Sequence, residues 1–169
     1  LENTYHIFQC NIDGSRLEQL TDGPFNDVDP CFLPDERVAF ISERRGGCGR
    51  SAADRNYTLH GMAADGSDMV RLSHHETNEW HPSVDRDGMI LYTRWDIWDR
   101  GYFQAMNAWS TYPNGSDGRA VFGNYFEGND PCPNATMDVR AIPESRKLIG
   151  TASSYFEQSY GALIVIDAG

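Results

Sequence analysis

Residues 74–100 hold most of the side chains able to do chemistry. His74, His75, Glu79, Trp80 and His81 fall in one stretch, and Arg94, Trp95, Asp96, Asp99 and Arg100 in the next. Imidazoles at this density offer ligand atoms for a transition metal or a haem edge. Their spacing matches no closed metal signature, so the metal set stays open and capped or solvated histidines are the competing expectation. Arginines interleaved with tryptophans can clamp an anionic or sugar-like ligand with a guanidinium fork and aromatic faces, or can lock neighbouring structural units together. No catalytic residue is assigned. Neither Ser42 nor Ser83 has a nucleophile-elbow context, and Asp29 and Asp130, each before a proline, read as turn formers.

Bringing two such stretches together requires a scaffold, and internal repetition points to one. A shift of 52 residues superposes Tyr5 on Tyr57, Asp13-Gly14-Ser15 on Asp65-Gly66-Ser67, Leu20 on Leu72, Asn26 on Asn78, Pro30 on Pro82 and Asp35 on Asp87. A drifted third copy follows at a shift of 49, with Gly115-Ser116-Asp117 on Gly66-Ser67-Asp68. Each copy is built of short apolar runs bounded by turn residues, with no sustained helical period. The Asp-Gly pairs mark tight hairpins, because glycine tolerates the positive φ such turns demand. Pro30 and Pro82 are read as the first residues of strands, and 38–42, 89–93 and 148–152 as matching apolar strands, with Phe40 and Tyr92 equivalent. Four strands per copy is the arithmetic of a β-propeller blade.

A strand ending in Asp-Gly-Ser, a following Leu-Thr or Leu-Ser, a loop, a proline-initiated strand, a Pro-Asp-Gly-like turn and an apolar strand such as 38–42 together resemble the TolB-type propeller repeat. Ser42-Glu43-Arg44-Arg45, the run from His74 to Val84, Tyr92-Thr93-Arg94-Trp95-Asp96 and Arg140-Ala141-Ile142-Pro143 resemble more narrowly the propeller of proteins related to the hydrazine synthase alpha subunit. That family joins its propeller to c-type haem domains, but this sequence has no CxxCH, so no cofactor is expected within it. The expected fold is all-β, a partial β-propeller of four-stranded antiparallel blades with about three blades present. Residues 5–21 form a half blade, 29–73 and 81–122 whole blades, and 131–167 most of another. Strand parity puts the tight turns on one face and the connections 22–28, 43–56, 74–80, 94–102 and 123–130 on the other, which is the candidate binding face.

Net charge −11 lacks the basic footprint that nucleic acid or anionic lipid needs, and the longest apolar run, 162–166, is far short of a membrane span. The implied role is a non-catalytic module, periplasmic or otherwise extracytoplasmic and bacterial in type, binding a protein or small ligand on its long-loop face. The alternative is the scaffold part of a larger redox or hydrolytic enzyme. An open stack of blades leaves a sheet face at each end, inviting further blades or self-association. Cys10, Cys31, Cys48 and Cys132 allow three complete pairings. Mostly free, buried thiols are expected, and Cys31 and Cys132, being equivalent in the repeat, should not pair with each other.

Overall fold

The computed structural model describes residues 3–47, 55–75, 77–96, 106–123, 133–153 and 161–167, and all regular structure among them is strand. Two short strands, β1 (Phe8–Gln9) and β2 (Glu18–Gln19), pair first. One antiparallel meander follows: β3 (Asp27–Phe32), β4 (Val38–Ser42), β5 (Thr58–Met62) and β6 (Val70–Arg71). The next is β7 (Asn78–Val84), β8 (Ile90–Trp95), β9 (Met106–Thr111) and β10 (Arg119–Phe122), and the last is β11 (Ala135–Ala141), β12 (Lys147–Ser153) and β13 (Ala162–Asp167). A single parallel pairing, Ala135 with Met106, bridges the last two meanders.

The apolar strands are buried on both faces because successive side chains serve different neighbours. On β4, Val38 and Phe40 join Ile7 and Met62 in the seam towards the β1–β2 unit. Ala39 and Ile41 join Leu59, Leu72, Ile90 and Tyr92 in the seam towards β7–β10. A third seam gathers Leu91, Ala108, Val139, Leu148 and Ile166. Phe40 and Tyr92 are each the third residue of a second strand and each face the preceding unit.

The prolines do not open the strands. β3 and β7 begin three and four residues earlier, at Asp27 and Asn78, and the pairing register shifts between Val28 and Cys31 and between Trp80 and Ser83. The residue before each proline, Asp29 (φ 53°) or His81 (φ 54°), takes the left-handed conformation, so Pro30 and Pro82 sit at a bulge where a missing N–H costs no ladder bond. β11 carries the same bulge at Asp138 (φ 52°) with no proline. Asp29 is therefore a bulge residue rather than a turn former.

The Asp-Gly hairpins are five-residue closures. Asn11 N–H donates to the Ser15 carbonyl and Gly14 N–H to the Asn11 carbonyl, and the pattern repeats at 63–67 and 112–116. The Asp13 carboxylate accepts from both the amide (2.9 Å) and the hydroxyl (2.6 Å) of Ser15, which holds its pKa below the usual carboxylate range; Asp65 and Ser67 repeat the arrangement. Gly66 and Gly115, at φ +84° and +82°, also lie against the preceding unit. A Cβ there would stand 2.5 Å from the Leu20 carbonyl oxygen or 2.1 Å from that of Leu72.

Cys10 is exposed and Cys31 half-buried, both as free thiols, so Cys10 departs from the buried expectation. Its position is equivalent to Met62, a seam residue, but no neighbouring sheet covers it. Cys48 and Cys132 lie outside the described residues, and so does the Cys31–Cys132 question.

Candidate functional site

At each of the first two seams the following sheet reaches back with polar side chains to hold the backbone of the preceding one. Asn26 Oδ1 accepts the Tyr5 amide at 2.9 Å, and Asn78 Oδ1 accepts the Tyr57 amide at 2.8 Å. In return, Asp27 and Glu79 donate their own amides to the Tyr5 and Tyr57 carbonyls. Asp27 and Glu79 are buried, and buried carboxylates need partners. Arg44 grips Asp27 through two bonds of 3.0 and 2.7 Å, with Ser42 donating at 2.6 Å. Glu79 accepts the Leu59 amide (2.7 Å) and the Ser73 hydroxyl (2.6 Å), and its other oxygen meets His75 Nε2.

The partners of His75 fix its tautomer. The Thr77 amide can only donate, and it lies 3.3 Å from His75 Nδ1, with the Thr77 hydroxyl at 2.6 Å. Nδ1 is thus the acceptor and Nε2 carries the hydrogen given to Glu79. Hydroxyl, imidazole and carboxylate are connected as in a nucleophile relay, but Thr77 is buried and does not line the adjoining groove. The connection locks the loop and the seam.

That groove, about 280 Å³, runs between the β3–β6 and β7–β10 sheets. Leu72, Ser73, His74 and His75 form one wall, and Tyr92, Arg94 and Thr111 stand opposite. Arg94 donates from Nε to Asp96 at 2.7 Å and its guanidinium carbon lies 4.2 Å from the centre of the Trp109 ring, so the guanidinium is held against the wall. Arg71 donates to His74 Nδ1 at 3.0 Å, placing another guanidinium next to His74. Burial pushes the Tyr92 phenol well above its ordinary pKa, so it remains a neutral hydroxyl at any working pH.

The ten expected site residues therefore occupy separate places. His74, His75, Glu79, Arg94 and Asp96 meet at or beside this groove. Trp80 and Trp95 stack at 6.2 Å on the other side of the sheet, with Met106 and Ala135, because odd and even positions of β7 and β8 face opposite seams. His81 sits at the bulge of β7, where its amide donates to Asp29 (3.2 Å) and its Nδ1 lies 4.0 Å from Asp138. Asp99 and Arg100 lie outside the described residues. Tyr92, Trp109 and Arg71 were missed as site residues. Tyr92 precedes Arg94 by two in an apolar run, so a strand reading already puts both on one face, whereas Trp109 follows only from the Tyr92–Trp109 register. Among the described residues no three His, Cys, Asp or Glu side chains stand together as a metal ion requires.

Antiparallel meanders stacked through repeated seams match solved propellers. A TolB-type protein from Agrobacterium tumefaciens superposes with TM-score 0.64 at 14% identity, over 95% of this chain and 55% of that one. The fold is that of a partial TolB-like β-propeller. An oligogalacturonate lyase solved with manganese superposes on this propeller with TM-score 0.58 at 16% identity, over 88% of this chain and 36% of its own. A chain of a nidogen–laminin complex does so with TM-score 0.52 at 10% identity, over 82% and 44%. The propeller thus spans about half or less of these chains. No family model and no curated protein matches it.

Proposed function

We propose that this chain is a non-catalytic propeller module that binds a carboxylate-bearing ligand in the groove between the β3–β6 and β7–β10 sheets. One observation carries the reading: in a chain of net charge −11, the Arg94 guanidinium and the His74 imidazole face a single groove, with Arg71 bonded to His74. A carboxylate entering there meets the Arg94 guanidinium, fixed by Asp96 and Trp109, beside the neutral Tyr92 hydroxyl. Placement outside the cytoplasm belongs to the same proposal and is supported by the TolB-like fold alone.

Galacturonate oligomers are a suitable first probe, being acidic sugars of the class named for one structural neighbour. Calorimetric titration should show binding that Arg94→Ala weakens about tenfold or more, the loss of one charge-assisted contact. His81→Asn, at the β7 bulge and tolerant of positive φ, should leave affinity unchanged. Failure of acidic probes to bind at millimolar concentration, or equal loss in both variants, would remove the reading. The alternative, a scaffold within a larger redox or hydrolytic enzyme related to hydrazine synthase alpha subunits, rests on the motif resemblance alone, with no matching family model or curated relative behind it. Its test is a search of the flanking reading frame for haem-attachment motifs or a peptidase domain.

A further inference from the structure

The seam between the β3–β6 and β7–β10 sheets is closed where their first hairpins meet, and the next seam is open there. Hairpins 33–37 and 85–89 close with the same two bonds: the first residue's amide donates to the last carbonyl, and the fourth residue's amide to the first carbonyl. Pro34 and Arg86 thereby hold equivalent places. At the first seam the two turns touch, since a Cβ on Gly88 would stand 3.3 Å from Pro34 Cγ. The β11–β12 hairpin closes in the same way, from Ile142 to Lys147, but is one residue longer, and the extra residue falls at Arg146.

An arginine also replaces an apolar residue on the fourth strand. Val70 lies opposite Gly61 as Arg119 lies opposite Ser110, and Gly61 and Ser110 pair with Ala39 and Leu91, the second residues of β4 and β8. Where the first seam has Pro34 and Val70, the second therefore has Arg86 and Arg119, with Arg146 added. All three line a cavity of about 350 Å³ between the β7–β10 and β11–β13 sheets, and buried Leu91 and Leu148 give it an apolar wall. Two carboxylates share the lining. Asp85 is engaged by its own hairpin, accepting the amides of Asp87 at 2.8 Å and Met89 at 2.9 Å. Asp87 lies 4.0 Å from Arg86 Nε, and Asp117, outside the lining, lies 3.5 Å from Arg119, separations at or past the limit of a hydrogen bond. Both arginine side chains are more than half exposed, so these pairs hold them weakly.

Three guanidinium groups in one cavity suit an oxyanion of more than one charge, and the apolar wall suits an organic body. We infer that this cavity binds a phosphate monoester of a small organic molecule, its phosphate among Arg86, Arg119 and Arg146 and its organic part against Leu91 and Leu148. The site lies across the β7–β10 sheet from the Arg94 groove and does not depend on it. Its mouth is set between two complete hairpins within the chain. A strand following β13 would pair with the far edge of β13, and the turn leading to it would rest on Val121 as Gly115 rests on Leu72, adding a wall at β10.

The test titrates the whole chain with phenyl phosphate at low salt and follows backbone amides by two-dimensional NMR. Saturable shifts should centre on residues 85–89 and 145–147. Arg86→Gln and Arg119→Gln should each weaken binding about fivefold or more with the melting profile unchanged, whereas Arg94→Ala should leave affinity as it is. Phenyl sulfate, similar in shape but singly charged, should bind more weakly. Lowering the pH from 7.5 to 5 should weaken the phosphate and not the sulfate, because the phosphate takes up its second proton near pH ~6. The inference would be overturned by an absence of saturation at millimolar phenyl phosphate, shifts centred on the Arg94 groove, or unchanged affinity in either arginine variant. Phenyl sulfate binding as tightly, or weakening in parallel with pH, would overturn it too. So would inorganic phosphate binding as tightly as the ester, which would make this a site for an adventitious ion only. If a variant fails to fold, the shift map of the parent chain and the pH comparison decide.

Discussion

Glu79 is the residue on which the second seam turns. Its carboxylate holds a backbone amide, a serine hydroxyl and an imidazole in a place water does not reach. Glu79→Ala strands all three, so urea unfolding should show a loss of about 3 kcal/mol, against less than about 1 kcal/mol for Arg94→Ala at the partly open groove wall. The reverse order would mean that Glu79 is not a structural lock. His60 supplies a pH signature. Burial, outweighing its bond to the Thr58 carbonyl, lowers its pKa below the ordinary 6.5. The unfolded chain then binds the proton more readily, so this contribution to stability is complete above pH 6.5 and erodes on acidification below it. Melting curves from pH 7.5 to 5 should therefore fall less steeply for His60→Leu than for the parent chain; equal slopes would show that His60 does not drive the loss. The sequence displayed Asn26 and Asn78 as a repeat identity but not their task. Each caps an amide 21 residues earlier in the chain, a relation no local pattern encodes.

At the scale of the element, strand type and order were legible because apolar runs, turn residues and a fixed period all agreed. The bulges were not. Proline preceded by Asp29 or His81 has the look of a strand start, and only the pairing register reveals a strand that continues through it. The turn glycines show a similar limit: sequence dictates positive φ at Gly14, Gly66 and Gly115 alike, while the contact with the neighbouring sheet exists at only two of them. Replacing Gly14 with Ala should cost about 1 kcal/mol, the ordinary penalty of a Cβ in the left-handed region. Gly66→Ala and Gly115→Ala should cost at least about 2 kcal/mol, since leucine backbone must also move. Equal costs at all three, measured by chemical denaturation, would show that the interlock is not a constraint.

For the molecule as a whole, the propeller was readable and the convergence of the site only half so. Parity sorts tight turns from long connections, but it could not say that alternate residues of one strand serve different seams. Trp80 and Trp95 consequently stack away from Arg94, and the binding candidate is a groove between two sheets rather than a face of the ring.

The reciprocal asparagine clasps have one more consequence. Tyr5, Tyr57 and Leu59 each give their amide hydrogen to a side chain of the next sheet, Asn26, Asn78 or Glu79, rather than to a strand partner. Their exchange with deuterated solvent is gated by the parting of adjacent sheets and not by fraying within one. These three protons are built-in clocks for seam opening. Tyr57 and Leu59 should tick together, and Tyr5, which reports on a different seam, should keep its own time.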